Sequence, residues 1–103
     1  MGRDVLGSPL PHVGSLLRFM RESRGMSTEV LIARLGRCGY VISVATYVNL
    51  EAGHLVDDAE AFIDAYSEVL RLTRPELSAV ATQWARDLLR ARMGDEYART
   101  FFR

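Results

Sequence analysis

Ser27-Thr28-Glu29-Val30-Leu31-Ile32-Ala33-Arg34-Leu35-Gly36 and, a few residues on, Ser43-Val44-Ala45-Thr46-Tyr47-Val48-Asn49-Leu50-Glu51-Ala52-Gly53 are the two stretches whose reading decides the fold. Each opens on a serine, whose hydroxyl can accept a hydrogen bond from an otherwise unpaired N–H in the first turn of a helix. In the first stretch Leu31, Ile32 and Leu35, with Cys38 just beyond, recur on one helical face, and Gly36 or Gly39 ends the run. In the second, Tyr47 and Leu50 stand three apart and predict a short helix with both turned inward, stopped by Gly53. The intervening Gly39-Tyr40-Val41-Ile42 is β-branched but too short for a strand of its own, and reads as a turn.

Upstream, Val13, Leu16, Leu17 and Met20 predict a first helix that ends near Arg24, where Gly25 can take the left-handed conformation that closes helices. Before it, Gly2, Gly7, Pro9 and Pro11 predict an irregular arm over 1–12. Downstream, Asp57 with Glu60 predicts the capped start of a fourth helix whose inner face is Ala59, Phe62, Ile63, Tyr66, Val69 and Leu70. Thr73-Arg74-Pro75-Glu76 starts a fifth in the same way, with Pro75 in the first turn and the helix running to about Met93 before Gly94. No stretch alternates as a sheet strand would. The expectation is an all-α, five-helix bundle, with four helices in a domain over 13–73 and the fifth extended as a C-terminal helix and tail over 74–103.

The 103 residues suit one domain, and 49% hydrophobic against 25% charged is a globular balance. The formal net charge of zero excludes indiscriminate, charge-driven binding to nucleic acid. That zero is a cancellation: residues 1–54 carry +2, residues 55–68 carry five acids and no base, and residues 69–103 carry +3. All 13 basic residues are arginine. One cysteine, Cys38, excludes an internal disulfide and a multi-cysteine zinc site; its neighbours Arg34 and Arg37 could sharpen its reactivity, but a buried, inert thiol is the favoured reading. His12 and His54 are isolated, so no metal, cofactor or catalytic residue is expected, and enzyme activity ranks last among the readings. With no apolar run of about 20 residues and no signal-like N-terminus, the expected compartment is the cytoplasm.

The stretch 27–36 resembles the second helix of the lambda-repressor-like (XRE/Cro-type) helix-turn-helix family, and 43–53 resembles that family's recognition helix. The spacing Ala33, Leu35, Gly39 and Ser43, with its longer turn, is most similar to the actinobacterial (EspR-like) secretion-regulator branch. The resemblance spans roughly Val13 to Val80. It implies a lambda-repressor-like fold for 13–73 and a transcription regulator that reads duplex DNA with helix 44–52 in the major groove. Thr46 and Asn49 would hydrogen-bond base edges, and Val44 and Ala45 would touch thymine methyls. Ser43, Arg34 and Arg37 would hold phosphate, and Val48 would flank the reading face.

Leu77, Ala81, Trp84, Leu88 and Ala91 step by fours and threes along the fifth helix. They are read as the seam of a homodimer with Trp84 as anchor, or else as packing on the domain's own core. Phe101 and Phe102 would exchange across the same dimer, or be disordered. Against the DNA reading, helix 44–52 carries no Arg, Lys or Gln, and Val44 and Val48 form an outward apolar pair. The alternative is therefore a protein-interaction module using that face, or the acidic helix 57–68, to contact a protein partner.

Overall fold

The computed structural model describes residues 12–101, with side chains to Arg92. It is all-helical: α1 (Val13–Ser23), α2 (Thr28–Arg37), α3 (Val44–Glu51), α4 (Ala59–Leu70) and α5 (Arg74–Phe101), with no strand among the described residues. The helix starts follow local chemistry. Ser27 Oγ accepts from the Val30 N–H and Ser43 Oγ from the Thr46 N–H. At α5, Thr73 and Glu76 close the reciprocal box: the Glu76 carboxylate accepts from the Thr73 N–H at 2.8 Å, and Thr73 Oγ1 from the Glu76 N–H at 3.3 Å.

Three features differ from expectation, and one open alternative, the end of α2, is decided. The cap of α4 is Asp58 rather than Asp57, and its carboxylate makes no cap bond because it accepts from the Tyr40 hydroxyl at 2.8 Å. Gly36 lies inside α2, and the positive φ that ends the helix falls at Gly39. Cys38 is exposed, not on the inner face. Gly94 does not stop α5, which continues to Phe101; a helix interior tolerates one glycine at a cost of about 1 kcal/mol.

The core contains Val13, Leu17 and Met20 of α1, Leu31 and Leu35 of α2, Tyr47 and Leu50 of α3, Phe62, Tyr66 and Leu70 of α4, and Val80 and Trp84 of α5. Phe62 is its hub. Its ring lies 5.4 Å from Tyr40, 6.4 Å from Tyr47, 5.3 Å from Tyr66 and 5.6 Å from Trp84. Aromatic pairs at these separations add to simple area burial.

The position of Trp84 corrects the dimer seam. It is 2% exposed within a single chain, so it cannot anchor a partner. The α5 face turned to the core is Val80, Trp84 and Asp87, with Leu77 half-buried; Ala81 and Leu88 lie to one side of it, exposed. The cause is Phe62, which offers Trp84 an aromatic surface inside the chain. Ala91 is exposed as well, and the Phe101 side chain and Phe102 lie outside the described residues.

Two contacts fix α1 against its neighbours. The Asp87 carboxylate, from α5, accepts the Val13 N–H at 2.7 Å, placing a negative charge at the positive end of α1. At Gly14 the backbones of α1 and α3 touch: a Cβ there would stand 2.4 Å from the carbonyl oxygens of both Leu50 and Glu51.

Candidate functional site

The outward side of α3 is fixed by the face that the helix buries. Tyr47 and Leu50 are fully buried, and this pins the helix by one face. Ser43, Val44, Ala45, Thr46, Val48 and Asn49 are consequently all exposed, Val44 and Val48 at 47% and 48%. The Ser43 hydroxyl donates to Thr46 Oγ1 at 2.9 Å while accepting from the Thr46 N–H, so the threonine is held at the helix entrance.

Glu51, the one charged residue of α3, does not face outward. Its carboxylate is gripped in two places by the Arg21 guanidinium, Nε to Oε2 at 2.7 Å and Nη2 to Oε1 at 3.1 Å, with both side chains 10% exposed. Arg21 also donates to the Met26 carbonyl at 2.8 Å. Donation to the Glu51 carboxylate holds the Arg21 guanidinium above its ordinary pKa, against the opposing effect of burial. Burial pushes the neighbouring Tyr47 phenol up, so it stays neutral beside the pair. The outer side of α3 is therefore uncharged: a hydroxyl, an amide and small aliphatic groups.

The helix packed against α3, α2, carries positive charge at its C-terminal end. Arg34 and Arg37, in its last turn, are exposed and make no ion pair among the described residues. The other described arginines of the N-terminal half are engaged. Arg18 pairs with Glu22 at 2.9 Å. Arg24 joins three helices, donating to the last carbonyl of α4 at Leu70 and to Glu76 of the α5 cap, both at 2.8 Å.

Every residue assigned to the reading face from sequence thus lies exposed, on α3, at its N-cap or in the last turn of α2. Sequence reasoning missed the Arg21–Glu51 pair and the Asp87–Val13 bond, which span 30 and 74 residues of chain. The position of Glu51 four residues after the inward-facing Tyr47 was a signal for the first; nothing local signals the second. His12 caps α1, its ring accepting from the Ser15 N–H, and His54 is exposed. Among the described residues no three His, Cys, Asp or Glu side chains gather as a metal site would require, and no helix is long and apolar enough to cross a membrane. No protein-family model, curated protein or solved structure matches the chain.

Proposed function

We propose that this protein is a duplex-DNA-binding transcription regulator of the lambda-repressor-like helix-turn-helix type, with α3 entering the major groove. The observation that carries the reading is the disposal of Glu51. By pairing with Arg21 inside the fold, it leaves α3 an outward face with no charge to repel phosphate, while Arg34 and Arg37 of the neighbouring α2 are exposed and without an ion-pair partner among the described residues. Thr46 and Asn49 then read base edges, Val44 and Ala45 contact thymine methyls, Val48 flanks them, and Ser43, Arg34 and Arg37 engage the backbone.

Two arginines per chain give weak phosphate neutralisation, so the reading includes a homodimer. Because Trp84 is occupied, pairing falls to the exposed side of α5 beyond it, where Leu89 is 58% exposed. Binding in the cytoplasm to two half-sites follows from such a pair.

Selection from a random duplex library at low salt tests the proposal. The expected result is an enriched motif whose preference is relaxed by Asn49→Ala. Arg34→Glu with Arg37→Glu should weaken all sequences alike. Failure to enrich any duplex overturns it.

A second reading has its own observation. Val41 is 89% exposed, ahead of the Val44 and Val48 pair, an unusual run of solvent-facing valine for a surface with no partner. On that reading the same face docks a protein, and Val44→Asp breaks a protein complex without affecting any nucleic acid.

A further inference from the structure

The α3 reading leaves unused a groove of about 330 Å³ between α4 and α5. Ile63 of α4 and Ala81, Trp84, Ala85 and Leu88 of α5 form its apolar surface, and Glu60 and Asp64 stand along the α4 side. Glu68 continues that line one turn further, exposed like the other two. None of the three carboxylates has an ion-pair partner among the described residues, and residues 55–68 contain no base. Trp84, although 2% exposed, contributes to the lining, and its indole N–H finds no acceptor among the described residues.

An apolar trough between two helices with one acidic bank fits a helix laid along it, aliphatic residues down and cations toward the bank. A second copy of this chain is a poor occupant. The only stretch long and basic enough is the end of α5, and there Asp95 and Glu96 interrupt the arginines and would meet the carboxylates of α4. We propose that the groove docks an amphipathic helix of another protein, one with aliphatic anchors one turn apart and Arg or Lys on its flank. This holds whether or not α3 reads DNA. The aliphatic anchors supply affinity, while the exposed carboxylates contribute rate and selectivity, so binding weakens with salt.

Trp84 is the only tryptophan in the chain, so its emission reports the groove directly. The probe is a synthetic helical peptide of about 15 residues, long enough to sustain some helix, with leucines one turn apart and arginines flanking them. Titration into the full chain is expected to shift Trp84 emission saturably. Glu60→Arg with Asp64→Arg should weaken binding at least about tenfold, with the far-UV signal unchanged. Ala85→Phe, which fills the groove without touching a charge, should abolish it, so the test does not rest on one variant's folding. Peptides with glutamate for arginine, or alanine for leucine, should not bind. The proposal is overturned by unchanged emission with the arginine peptide, by undiminished binding to either variant, or by equal binding of the alanine peptide. Self-association in sedimentation that Ala85→Phe removes would assign the groove to a second copy and likewise overturn it.

Discussion

Glu51 and Gly14 are the residues on which the placement of α3 turns. Glu51→Ala would leave the Arg21 guanidinium, 10% exposed, with only the half-exposed Glu22 carboxylate, 3.9 Å away, in place of its two-point partner. Leaving one member of a buried pair alone costs about 3 kcal/mol or more, so the midpoint in urea denaturation is expected to fall markedly. If Glu51 were instead a surface acid, the same change would leave stability within about 0.5 kcal/mol. Gly14→Ala tests the α1–α3 contact from the other side. The new methyl meets two backbone carbonyls at 2.4 Å, and backbone cannot rotate away as a side chain can. A loss of about 1–3 kcal/mol is expected, read as a lower thermal midpoint.

Elements differ in how they are started, and this sets their dependence on pH. The start of α5 rests on Glu76, whose carboxyl is held below its ordinary pKa first by the Thr73 N–H and then by Arg24. A carboxyl lowered in the folded state stabilises above its unfolded pKa and loses that contribution as pH falls through the folded value. Stability from Glu76 should thus be complete at neutral pH and decline below about pH 4.5. In Glu76→Gln this part of the acid decline should disappear, with lower stability at pH 7, as measured by melting across pH. For α2 and α3, the proposed phosphate contacts set a salt dependence. Two arginines on each of two chains imply a slope of log K against log salt near −3.6, at about −0.9 per contact. A slope near zero would remove Arg34 and Arg37 from the interface.

At the scale of the whole molecule, the aromatic hub makes α5 part of the domain rather than an appendage. Phe62→Ala would remove the ring against which Tyr40, Tyr47, Tyr66 and Trp84 all pack. A loss of about 3–5 kcal/mol is expected, a large share of a small domain's stability. Chemical denaturation followed by Trp84 emission and by far-UV signal should shift together, because the tryptophan and the helices share one core. Two separated transitions would show that α5 unfolds by itself.

Local sequence determined the five helices of this protein. Ser27, Ser43 and the Thr73–Glu76 box are caps formed within three residues, and Leu31, Leu35, Tyr47 and Leu50 declare their buried faces by spacing alone. The exposure of Arg34, Arg37, Thr46 and Asn49 follows from those same faces, since what is not turned inward on a short helix is turned out. Tertiary structure alone decided which partner each remaining side chain took. The apolar spacing of α5 was compatible with a dimer seam or with the core, and only the position of Phe62 assigned Trp84 to the core. Likewise Asp87 reached the start of α1, Glu51 reached Arg21, and Asp58 turned to Tyr40 instead of capping α4. Periodicity records which face of a helix is apolar; what that face meets depends on contacts between residues distant in the chain, which no local pattern encodes.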